Sequence, residues 1–166
     1  QTFERAIANF DSDFSIPQSP EPLSELFVSS AGNGIALEWD HEGNNPVEGF
    51  QIYRASGRVD STYRLVFETG PNEFSFIDGD VVRNENPGLI DLESPIRGRD
   101  YFYYVIAKGA VNNDNTGLTP TGGNLVSNRY YNQSYAPARL LREAGETMSE
   151  IRVVPNPYSP NINDDF

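Results

Sequence analysis

Between Leu23 and Ala136 every apolar segment is short, and each is closed within a few residues by Gly, Asn, Pro or Asp. Segments punctuated in this way do not build helices with a continuous apolar stripe. They build short strands joined by turns, the pattern of an all-β antiparallel sandwich. Seven strands are predicted: LSELFVSS over 23–30, GIALEWD over 34–40, FQIYRA over 50–55, YRLVFE over 63–68, EFSFID over 73–78, YFYYVIAKG over 101–109 and NLVSNRYYN over 124–132. In the second, Ile35, Leu37 and Trp39 alternate with Ala36, Glu38 and Asp40, as a half-buried strand requires. The sixth is aromatic or branched on both faces at once, which predicts a central strand covered on both sides or nearly so. The seventh sets Val126, Asn128 and Tyr130 against Leu125, Ser127 and Tyr131.

The flanks differ in character. Residues 1–10 carry Phe3, Ile7 and Phe10 at helical spacing and predict a short amphipathic helix. Pro17, Pro20 and Pro22 then favour an extended connector, so 1–22 reads as helix and linker, 23–136 as the sandwich and 137–166 as a tail. In the tail, Ile151, Val153 and Val154 form a strand signal stopped by Pro155 and Pro157. An unpaired apolar strand invites pairing, so these residues and Tyr158 are predicted to meet a partner, which is this domain, a following domain or a neighbouring molecule. The chain begins Gln1-Thr2-Phe3-Glu4-Arg5, with no initiator Met and no apolar leader, as in a mature product or an excised piece.

Composition removes several classes of function. Twelve Lys plus Arg against 24 Asp plus Glu leave a net charge of -12, which repels nucleic acid and anionic lipid. No apolar run approaches the roughly 20 residues needed to cross a bilayer, so membrane insertion is not expected. Without cysteine there are no disulfides, thiolate nucleophiles or sulfur-held metals. The only histidine, His41, follows Asp40 with no nucleophile elbow near it, so it is read as a loop residue and no catalytic residue is assigned. AGNG and TGG lack the Lys and following helix of a phosphate loop.

Three weaker signals remain. Asp78, Asp80 and Asp91 cluster around one long loop, and Asn112, Asn113, Asp114 and Asn115 in another. Such oxygen donors suit calcium, although neither set follows the EF-hand spacing and Asp and Asn also recur in turns for backbone reasons. No other cofactor is implied. Tyr130, Tyr131, Tyr135 and Tyr158 are candidates for a sugar-stacking surface; in a continuous strand Tyr130 and Tyr131 point to opposite faces. The loops 79–100 and 110–123 are long enough to bind something or to be plain decoration.

Trp39 in LEWD, the run GFQIYRA with Tyr53 near its end, and Gly98 followed by Tyr101, Tyr103, Val105 and Ala107 two apart resemble the strand motifs of a fibronectin type III domain. The form is the one common in bacterial secreted proteins, and the likeness covers about 22–136. It implies a seven-stranded immunoglobulin-like sandwich with Trp39, Tyr53, Tyr101 and Tyr103 as core markers and Tyr101 as a corner tyrosine bonded back to the preceding loop. The long insertion before Gly98 departs from the family, and Arg97-Gly98-Arg99-Asp100 is not its Arg-Gly-Asp adhesion motif. IRVVPNPYSP resembles the V-x-P-N-P stretch that opens a further sandwich in bacterial proteins using type IX secretion, and Asp60-Ser61-Thr62 resembles the O-glycan acceptor of that group.

The expectation is therefore a non-enzymatic extracellular or cell-surface module that spaces or assembles neighbouring domains. A carbohydrate-binding accessory module of a secreted polysaccharide-acting protein is the second expectation.

Overall fold

The computed structural model describes residues 2–11, 13, 17–32, 34–79, 94–113 and 121–141. Within them Thr2–Asp11 forms a helix, α1, and the alternating runs become seven strands: β1 (Glu25–Ala31), β2 (Gly34–Asp40), β3 (Gly49–Ser56), β4 (Arg64–Thr69), β5 (Ser75–Gly79), β6 (Tyr101–Val111) and β7 (Asn124–Val126). All pairings are antiparallel, in two sheets ordered β1-β2-β5 and β4-β3-β6-β7. Their inner faces share one core. Ile35, Leu37 and Trp39 from β2 meet Phe50 and Ile52 from β3 and Tyr101, Tyr103 and Val105 from β6, with Phe50 edge-on to Trp39 at 5.6 Å. The chain is an all-β sandwich.

Six of the predicted strands move by at most two residues at either end, but the seventh is cut to three residues. Asn128 is the reason: its Oδ1 accepts the Tyr130 N–H at 2.9 Å and turns the chain into a 3-10 turn over Arg129–Tyr131. Pairing to β6 then resumes at two isolated bridges, Tyr104 with Gln133 and Tyr101 with Ala138. From Lys108 to Tyr104, β6 retreats four residues while its partner advances seven, from Val126 to Gln133. Tyr130 and Tyr131 therefore do not alternate across a sheet; both are exposed on the turn.

Tyr53 is also placed differently from the resemblance. Phe50, Ile52 and Arg54 occupy the inward positions of β3, so the two-residue period turns Tyr53 to the outer face, where it is half-buried. The sandwich also extends past Ala136. Ala138 is buried in the core and exchanges both backbone bonds with Tyr101, at 2.9 and 2.8 Å, and the Leu141 N–H donates to Ser30 Oγ at 3.1 Å. At the other end Pro20 and Leu23 are buried, so the last part of the connector belongs to the packed unit.

The core contains a charge pair. Arg54 on β3 and Asp78 on β5, 6% and 1% exposed, meet between the two sheets at 2.7 Å, and Tyr103 Oη donates to the same carboxylate oxygen at 2.9 Å. Burial first, then the neighbouring Asp78 charge, pushes the Tyr103 phenol well above its ordinary value, so it remains a donor. Removing one partner of such a pair leaves a buried charge, which typically costs ~3–5 kcal/mol. Asp78→Ala is expected to lose that much in urea denaturation followed by the fluorescence of Trp39, the single tryptophan. The double variant Arg54→Met, Asp78→Leu should lose clearly less than the two single losses added together.

Candidate functional site

Two regions of the surface are built rather than merely exposed. The first is the outer face of the four-stranded sheet. Phe102, Tyr104 and Ile106 point outward from β6 yet are buried. Register sets Tyr53 opposite Tyr104, and their rings stack at 4.6 Å. Tyr63 tilts onto Tyr104 at 4.9 Å and donates its hydroxyl to the Val59 carbonyl at 3.1 Å. The 3-10 turn brings Arg129 over three rings, with its guanidinium 5.2 Å from Tyr104, 5.4 Å from Tyr130 and 5.7 Å from Tyr63.

A polar chain continues the aromatic row. Tyr53 Oη donates to Gln51 Oε1 at 3.2 Å, Gln51 Nε2 to Glu68 Oε1 at 2.5 Å, and Lys108 Nζ to Glu68 Oε2 at 2.9 Å. The Lys108 and Gln51 bonds hold the Glu68 carboxyl below its usual range. Burial raises the Tyr53, Tyr63 and Tyr104 phenols, so the row stays neutral and can donate.

The second region consists of two pins at opposite ends of β6. Near Gly109, Asn45 grips the lead-in: its backbone N–H donates to Glu21 Oε2 at 3.2 Å and its Nδ2 to the Ser19 carbonyl at 3.1 Å. His41 Nε2, in the tautomer that carries the proton there, donates to the Glu21 carbonyl at 3.2 Å. Pro20 lies so close to Gly109 that a Cβ there would come within 2.9 Å of its ring. Near Tyr101, Ile96 N–H donates to Tyr101 Oη at 2.9 Å, Arg139 binds the Asp100 carboxylate, and Ala138 is paired with Tyr101. Backbone N–H groups of Glu21 itself and of Asn45 lower the Glu21 carboxyl, and the Arg139 bond lowers that of Asp100.

The residues singled out from sequence are divided by the fold. Trp39, Tyr101 and Tyr103 are in the core, and Tyr53 belongs to the outer aromatic row. Asp78 is not a loop ligand; its carboxylate faces the interior and is held by Arg54 and Tyr103. Its companions Asp80 and Asp91 lie outside the described residues, as do Asp114, Asn115, Ile151, Val153, Val154 and Tyr158. Asn112 is buried, and its backbone closes the base of the 110–123 loop with bonds to Gly123 and Gly122 at 2.7 and 3.1 Å. Among the described residues no three His, Cys, Asp or Glu side chains gather as a metal site, and no helix is long and apolar enough to cross a membrane. Asp60 is bound by Arg58 at the exposed tip of the β3–β4 turn, beside a half-buried Ser61.

Arg129, Tyr63 and Tyr104 were not singled out as site residues from the sequence. Tyr104 had a signal, because the outward positions of β6 are as apolar as the inward ones. Arg129 had none, since its role depends on the break after Asn128. In comparison with known proteins, the chain matches no family model and no curated protein.

Among the described residues three lowered carboxyls contribute to the response to acid. Glu21, Glu68 and Asp100 titrate below their ordinary values of 4.5, 4.5 and 3.8 in the folded chain. Their contribution is complete above the unfolded value and is lost as pH falls through the folded one. Stability measured by Trp39 fluorescence should thus be level near neutrality and decline below about pH 4. Asp100→Asn should be less stable at pH 7 and lose less on acidification; an unchanged acid profile would exclude the Arg139 contact from the response.

Proposed function

We propose that the chain is a fibronectin type III-like spacer module of a secreted or surface-anchored bacterial protein, with a structural and non-enzymatic role. The observation that carries this reading is the position of the two pins. The lead-in is held beside Gly109 and the outgoing segment beside Tyr101, eight residues apart on one strand. At ~3.3 Å per residue that puts about 26 Å of stiff sheet between them. A chain that enters at one pole and leaves at the other, bonded at both, transmits a fixed distance and orientation to whatever is joined to it.

The family reading is supported by the sheet order β1-β2-β5 against β4-β3-β6-β7, by buried Trp39 and by the bond from Ile96 N–H to the Tyr101 hydroxyl. The compartment rests on the resemblance of the flanks, and the partners it implies are neighbouring domains or subunits, with Ile151, Val153, Val154 and Tyr158 joining an adjacent sandwich by strand addition.

Spin labels at Ser19 and Leu141 of the full chain test the spacer directly. A single narrow distance distribution at roughly 30 Å or more is expected, broadened by Asn45→Ala. A broad distribution in the unaltered chain would contradict a rigid spacer. In the parent protein, an unrelated sandwich of equal pole-to-pole length should restore surface assembly; failure of that exchange would mean that the module acts through its surface and not its length.

A further inference from the structure

Spacing makes no use of the outer aromatic face. Tyr130, Tyr131 and Tyr135 are 68, 80 and 66% exposed, the first two on the turn that Asn128 caps. Just behind the turn lie Tyr63, Tyr104 and Tyr53, with Arg129 between Tyr104 and Tyr130. Tyr135 is close enough to Tyr63 to act on its phenol electrostatically, although burial is the main influence there. Arg129 has no carboxylate partner among the described residues, in a chain whose net charge is -12. Arg129 is an exposed residue whose side chain also hydrogen-bonds Tyr104.

From these rings and the donors set among them we infer that the outer face of β3 and β6, together with residues 129–135, binds a neutral pyranose oligosaccharide. The ligand must offer flat C–H faces to the tyrosines, and a pyranose ring does. It must also offer many oxygens to the guanidinium of Arg129, the tyrosine hydroxyls and the Gln51–Glu68–Lys108 chain. An aliphatic protein surface would cover the rings but leave those polar groups dehydrated and unbonded. A polyanion such as a sulfated glycan or a nucleic acid would meet the repulsion of the acidic chain. An uncharged polyhydroxylated ring meets all three conditions, and it makes this site independent of the spacer reading.

A glycan array probed with the full chain tests the site, with neutral oligosaccharides, sulfated glycans and a proline-rich peptide printed side by side. Neutral oligosaccharides are expected to bind and sulfated ones to fail. For the best neutral binder, Tyr130→Ala or Tyr135→Ala should lower affinity about tenfold in calorimetry, a size typical of one lost ring contact, with melting unchanged. Phe27→Ala, which alters an exposed ring on the other sheet, should leave affinity intact. Silence toward all neutral glycans, undiminished binding by the Tyr130→Ala, Tyr135→Ala double variant, or capture of the proline-rich peptide in place of a sugar would each overturn the inference. None of these results depends on the label distances that test the spacer.

Discussion

The strand β6 has to be dry on both faces, and most of the architecture follows from that. A strand in a two-layer sandwich ordinarily turns one face to the core and the other to water. Here Tyr101, Tyr103, Val105 and Ala107 fill the core while Phe102, Tyr104 and Ile106 are buried on the far side. Over Tyr104 the cover comes from the Tyr53 stack, from Tyr63 and from Arg129. A seventh strand continued in register would send its side chains perpendicular to the sheet. By leaving the ladder at Asn128, the chain instead lays a guanidinium across the rings. On the other sheet the outward Phe27 and Ile77 are exposed.

Between the layers the Arg54, Asp78 and Tyr103 contact plays a different part. The chain has no cysteine, so no disulfide cross-links the sheets. A buried ion pair seldom stabilises more than well-packed apolar groups of the same volume. It does penalise misalignment, because a one-residue slip of β5 would turn Asp78 to solvent and leave Arg54 without that partner inside. Its consequence lies in register, and through register in the position of β6 against β3.

Much of this was legible in the text of the chain. Alternation in GIALEWD placed Trp39 inside, and the two apolar faces of YFYYVIAKG made β6 central before its neighbours were known. The same period carries the ion pair as well. Arg54 continues the face of Phe50 and Ile52, and Asp78 that of Phe76, so two opposite charges stand at inward positions of two strands. Read as turn-forming or ligand oxygen, Asp78 went to the wrong environment; read by period, it pairs. Tyr53 is the converse case: the motif implies a core position, while the alternation from Phe50 sends it outward. The break in NLVSNRYYN was harder. Tyr favours strands, and only the Asn128 side chain competing for a backbone N–H could announce the turn.

The pins at the two poles act on orientation more than on stability. Each includes exposed hydrogen bonds that add little singly, and the Arg58 pair elsewhere shows how readily such contacts form at the surface. Their effect comes from being several at once and from the backbone they hold. Glu21 is gripped through its carboxylate and its carbonyl, and Ala138 through both backbone groups to a strand that cannot shift without unpacking Tyr101 and Tyr103. Both poles thereby share β6 as a common beam. The aromatic face and its polar chain run along the flank of that beam, from Lys108 beside Gly109 to Tyr104, three residues from Tyr101.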